Sequence, residues 1–221
     1  MNTLSHHIEN FMTYLQYEKN TSPKTIENYS LWINRFKGFH GDTSVSDIKP
    51  LDVLKFRKHL DTELKLNIST INYHIVALRS FLKFLIKNDI EVIAPEKLEL
   101  SKTPPRQVSF LDEEEVEAIL AAPDEREHKD VKRARDEAIL YVLYGSGVRV
   151  SELINLKIDH IPREGQQIQI VGKGSKLRSG FITKSAKEKI HKRIDLRTDD
   201  SPWLFINMSN YKSGSPMSRA S

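Results

Sequence analysis

Cysteine is absent from all 221 residues. That excludes a disulfide framework, a thiolate nucleophile and any zinc site built on sulfur. No apolar run approaches the ~20 residues of a membrane-crossing helix. The opening Met1-Asn-Thr-Leu-Ser-His-His7 lacks the apolar core of a secretion signal. The expected location is therefore the cytoplasm, with no membrane partner. Internal repeats and low-complexity tracts are missing too. Neither sign of charge dominates, since 34 Lys+Arg against 30 Asp+Glu leave a formal net charge of +4. With 38% hydrophobic and 29% charged residues, the composition is that of an ordinary globular protein. The length allows one or two domains, each with its own core.

What is present begins with helical periodicity. Ile8, Phe11, Met12 and Leu15 recur at the spacing of one helix face. Ser22-Pro23 reads as an N-cap followed by proline at the first helical position, opening a helix with Ile26, Tyr29, Ile33 and Phe36 inward. Lys49-Pro50 precedes a third helix carrying Val53, Leu54, Phe56 and Leu60. Ser69 is the expected cap of a fourth, with Ile71, Ile75, Leu78, Leu82 and Leu85 inward and His74, Arg79, Lys83 and Lys87 on the opposite face. These four helices form the expected domain of residues 1–92. Residues 93–107 hold three prolines and little periodicity, the composition of a linker, and a second domain is expected over 108–221.

The second domain opens on Asp112-Glu-Glu-Glu115, a capping box at a helix start. An apolar helix around Ala134–Tyr144 then runs into Gly145-Ser-Gly-Val-Arg149-Val-Ser-Glu-Leu153. The glycines permit a sharp break and close backbone approach. Arg149 then stands at the start of the next helix, where its planar fork suits an anion. Gln167-Ile-Gln-Ile-Val171 alternates polar and apolar, as does a return strand near Phe181-Ile182. Gly172-Lys-Gly-Ser-Lys176 between them makes a hairpin that places Lys173 at its tip. A basic helix over about Ser185–Arg193 and a buried strand at Trp203–Ile206 follow. Residues 163–197 hold ten Lys/Arg against three Asp/Glu, an excess that favours a polyanionic partner. Together these features predict a phosphate pocket, with the phosphate belonging to DNA.

This arrangement resembles the tyrosine recombinase, or phage integrase, family in its Xer-like branch. Gly145–Leu153 is similar to that family's first catalytic-arginine motif and Gly172–Lys176 to its β-hairpin lysine motif. The first domain is similar to its helical core-binding domain. The resemblance implies a mainly α fold with a small β-hairpin: a four-helix, SAM-like core-binding domain followed by an incomplete α+β catalytic domain. It implies strand breakage by a tyrosine that forms a 3′-phosphotyrosyl enzyme and frees a 5′-hydroxyl, without metal, ATP or other cofactor. In that chemistry Arg149 stabilises charge on the phosphate oxygens and Lys173 protonates the leaving oxygen. His74, Arg79, Lys83, Lys87, Lys176 and Arg178 are the expected DNA contacts. The implied partner is double-stranded DNA, bound by a homo- or hetero-tetramer on two sites.

Glu152, one turn after Arg149, is either a salt-bridge partner for the guanidinium or a plain solvated helix charge. The family's further His-x-x-Arg motif and tyrosine nucleophile are not matched. His160-Ile-Pro-Arg163 precedes the hairpin and contains proline, so it reads as a turn. Tyr211 lies in loop-like sequence, and Tyr141 and Tyr144 read as core packing. An incomplete domain is expected to expose the apolar face of Ile139, Val142, Leu143 and Leu153. Two alternatives to a recombinase stand beside this reading. One is a non-catalytic DNA-binding protein occupying recombination sites; the other is a helical interaction module whose basic surface is incidental.

Overall fold

The computed structural model describes residues 3–105, 107–123, 130–172, 177–208 and 214–218. They fall into two compact units that divide between Gln107 and Val108.

The first unit consists of α1 (Leu4–Tyr17), α2 (Pro23–His40), α3 (Pro50–Thr62) and α4 (Ile68–Lys87). Each helix turns its apolar stripe inward. Phe11 is fully buried, with its ring centroid 5.5 Å from Phe81 and 5.4 Å from Phe84. Ser22 caps α2 by accepting from the Thr25 N–H at 3.4 Å, with Pro23 at the first position. Three details differ from the periodicity. The cap of α4 is Asn67, whose Oδ1 takes the Thr70 N–H at 2.8 Å, so the helix begins ahead of Ser69. Leu54 is 62% exposed, because Val53, Phe56 and Leu60 already complete the buried stripe of α3. The first part of the proline-rich segment is also not free. Pro95 and Leu98 are buried, and Ser101 exchanges two hydrogen bonds with the Asn72 side chain, at 2.8 and 3.0 Å.

The second unit starts with Val108, Phe110 and Leu111, all exposed, Phe110 at 89%. In α5 (Glu113–Ala121) the Asp112 and Glu115 side chains each accept the other residue's N–H, at 2.9 and 3.0 Å. The core forms where α6 (Asp130–Ser146) and α8 (Lys184–Asp195) pack together beside an antiparallel hairpin. That hairpin pairs β1 (Gln167–Val171) with β2 (Leu177–Phe181), Val171 lying opposite Leu177. The single-turn α7 (Val150–Leu153) stands between α6 and β1. Trp203–Ile206 is not a strand of that sheet. Isolated bridges to Lys157 and Pro216 hold it, while Leu204, Phe205 and Ile206 are buried. The face of α6 and α7 expected to be bare is covered: Val142 and Leu153 are buried, with Ile139 and Leu143 packed against the same cluster. Exposed large apolar side chains of this unit include Val108, Phe110 and Leu111, and also Tyr144, Val150, Leu177 and Phe181.

Among the described residues no helix is long and apolar enough to cross a membrane.

Candidate functional site

The glycines ahead of Arg149 do two separate jobs. Gly147 has φ +59°, the left-handed region that lets the chain leave α6. Gly145 is needed for closeness, since a Cβ there would stand 2.8 Å from Thr183 Oγ1. That hydroxyl caps α8 by accepting the Ala186 N–H at 3.2 Å. The turn therefore brings the end of α6 against the start of α8, and Val148 drops into the core behind it.

Arg149 then occupies the N-cap of α7 in extended backbone, outside the helix itself. Its helix is one turn long, so the cationic side chain, not a helix dipole, supplies the positive charge. The side chain is 77% exposed, and beneath it the Glu152 side chain is only 5% exposed. Glu152 Oε2 accepts the Arg149 backbone N–H at 2.9 Å, and Oε1 accepts Arg149 Nη1 at 3.1 Å. From β2, Arg178 Nη2 donates to the same Oε2 at 2.8 Å. The Arg149 N–H, and then the two guanidiniums, hold the Glu152 carboxyl below its usual range, outweighing the burial that pushes it up. Glu152 is thus a held partner and not a solvated helix charge. Two guanidiniums share one carboxylate, leaving a net positive charge at the surface. Among the described residues Nε and Nη2 of Arg149 have no partner and remain available to an anion.

The other expected site residues fall differently. Lys173, Lys176 and Tyr211 lie outside the described residues. Lys83 and Lys87 are exposed on α4 and border a cavity of about 500 Å³ shared with Tyr14, Lys19 and Ser80. Lys87 reaches Glu18 at 3.4 Å and Lys83 reaches Glu96 at 3.8 Å. Arg79 is half-buried.

His74 is not on that face. It is fully buried, accepting from Arg35 Nη1 at 3.0 Å through Nε2 and donating to the Thr70 carbonyl at 2.8 Å through Nδ1. Trp32 and Phe56 flank its ring. The reason is geometric: position 74 lies within the Ile71, Ile75, Leu78 stripe, so its period points inward. Burial, with the Arg35 charge in support, keeps the imidazole pKa below its ordinary value against the Thr70 bond. Tyr144 is likewise misplaced, being exposed, while Tyr141 is half-buried under Lys189.

Part of the basic run at 163–197 is spent inside the fold. Lys189 and Lys192 of α8 reach the buried Glu137 carboxylate of α6 at 2.8 and 3.3 Å. Arg197 is bound by Asp199 and by the carbonyls of Ser201 and Trp203. Arg193 is fully buried, and none of its three guanidinium nitrogens has a hydrogen-bond partner among the described residues. Only the alternation of lysine with apolar residues along α8 hinted at any of this.

Two family descriptions match the chain: the phage integrase N-terminal SAM-like domain over residues 8–89, and the phage integrase family over residues 109–221. The chain belongs to the phage integrase, or tyrosine recombinase, family, whose members break and rejoin DNA at specific sites. A tyrosine recombinase XerC of Leptospira interrogans is 28% identical over 216 residues, covering 95% of this chain and 69% of its own length. A tyrosine recombinase XerC of Myxococcus xanthus is 34% identical over 185 residues, covering 80% and 59%. Among solved structures, the Tn1549 transposon integrase in complex with transposon right end DNA superposes with a TM-score of 0.76 at 17% identity, covering 99% of this chain and 74% of that one. That likeness establishes the shared fold.

Proposed function

We propose that this chain carries the DNA clamp and the first half of the active site of a site-specific recombinase that works through a 3′-phosphotyrosyl intermediate. The observation that carries this reading is the Arg149–Glu152–Arg178 arrangement. A buried carboxylate aims an exposed guanidinium outward with donors to spare, as binding of a phosphodiester requires. As charge builds on the non-bridging oxygens, a preorganised Arg149 stabilises it without reorganising. Lys173, on the connection between β1 and β2, protonates the departing 5′-oxygen. Lys83, Lys87, Arg79 and Lys176 hold the backbone of a double-stranded DNA partner. The DNA seen with the Tn1549 integrase supports that choice of ligand. A tetramer on two duplexes in the cytoplasm completes the proposal. In this reading the 221 residues taken alone bind DNA and do not cut it, since His160-Ile-Pro-Arg163 precedes the hairpin, no His-x-x-Arg string follows it and Tyr211 stands in loop-like sequence.

Two measurements test the proposal. Affinity for duplex DNA is expected to fall by about 10² between ~50 and ~200 mM salt, the response of roughly four phosphate contacts. A flat response would favour an interaction module. Incubation with a nicked suicide duplex is expected to give no covalent adduct, and a phosphotyrosyl adduct on this chain would refute the clamp-only reading. In a form that cuts, Arg149→Ala is expected to slow cleavage by about 10²–10³.

A further inference from the structure

Arg178 is expected from its sequence context to touch the DNA backbone, yet its geometry gives it another task. Its Nη2 lies 2.8 Å from Glu152 Oε2, the oxygen that also accepts the Arg149 N–H. Glu152 Oε1 is taken by Arg149 Nη1. Both oxygens of a nearly buried carboxylate are thus committed, one to each guanidinium. Arg178 is the second residue of β2, opposite Ile170 of β1, and Ile170 is fully buried in the core that holds Leu153 of α7. The strand therefore has two ties to the arginine motif, one through hydrocarbon and one through charge. A carboxylate with so little solvent cannot lose a partner cheaply, because no water replaces it.

We propose that Arg178 is a positioning residue: through the shared carboxylate of Glu152 it fixes the start of β2 against Arg149. This rests on the proposed function in giving Arg149 and Lys173 to the phosphate. What Arg178 adds is registration of β2 against the arginine turn, since strand and turn are separate pieces of chain that meet at this carboxylate. The half-buried guanidinium, with 43% of its side chain exposed, works by staying where it is.

The test uses the full 221-residue chain and the variants Arg178→Gln and Arg178→Lys. Carbon-detected NMR titration of Glu152 in the wild-type chain is expected to show a depressed carboxyl. Arg178→Gln is expected to move it up toward the ordinary range, with Arg178→Lys between the two. Amide exchange over Leu177–Phe181 is expected to quicken about tenfold in Arg178→Gln, the order expected for losing one charge-assisted hydrogen bond. The slope of DNA affinity against salt is expected to stay unchanged in that variant. A Glu152 titration indifferent to residue 178 overturns the proposal, as does a slope shallower by the ~0.9 that one lost phosphate contact produces. If the wild-type chain binds no DNA, the proposed function fails, while the Glu152 titration still decides whether Arg178 registers the hairpin. Should Arg178→Gln not fold, Arg178→Lys carries the same titration and exchange readouts.

Discussion

In the N-terminal unit the largest side chains sealed from water are the rings of Phe11, Phe36, Phe56 and Phe81, whereas the second unit buries Glu137, Glu152 and Arg193 beside a core of aliphatic side chains and Phe205. The first arrangement gains stability from apolar area removed from water, which is indifferent to direction. The second depends on geometry, because a buried ion is costly unless a partner meets it, as Lys189 meets Glu137 and Arg178 meets Glu152. That difference separates a scaffold from a site. Hydrocarbon packing can hold four helices together, but aiming a guanidinium at a phosphate requires a fixed carboxylate beneath it.

The contrast can be broken at several points. The largest effect is expected from Phe11→Ala, which empties the ring cluster and should cost about 3–5 kcal/mol in denaturant unfolding. A loss below ~1 kcal/mol would mean that the cluster is not the source of the first unit's stability. Gly145→Ala comes next, at about 1–3 kcal/mol. Its methyl would press on the Thr183 hydroxyl and disturb the cap of α8, and a crystal structure of the variant would show whether Thr183 turns away. The smallest effect concerns the most deeply buried titratable group of the first unit. His74 has a pKa below its unfolded value of 6.5, so the unfolded chain binds more protons as pH drops. Stability contributed by the neutral imidazole is complete above about pH 6.5 and is lost as pH falls through the folded pKa. His74→Gln is expected to flatten thermal stability between pH 7 and 5 relative to the wild type, and an unchanged slope would contradict the assignment.

Much of the fold was legible because helices announce themselves locally. The stripes of α1 and α4, the Ser22-Pro23 start and the Asp112–Glu115 box all follow from residues within one or two turns of each other. The misreadings share a cause. The chemistry of the His74 side chain suggests a surface contact, whereas the period of its neighbours Ile71, Ile75 and Leu78 places it inside. Ser69 has the right chemistry for a cap, but Asn67 stands three residues before the Thr70 amide, the spacing a capping side chain needs. The arginine motif was readable as a string, and Glu152, three residues on, was at least a candidate partner. Arg178 was out of reach, since 26 residues and a strand crossing separate it from Glu152. In α8, Lys189, Lys192 and Arg193 look alike on paper, yet the lysines share a carboxylate on α6 and the arginine has no hydrogen-bond partner among the described residues.

That last guanidinium has a consequence for whatever comes to lie beside α8. Arginine keeps its proton across the whole range in which proteins stay folded, so titration gives Arg193 no escape. Its hydration shell has already been stripped by the fold. Because it is fully enclosed, an incoming carbonyl or carboxylate cannot reach it and meets only the exposed Lys184 and Lys192. The desolvated charge is a burden on the fold alone.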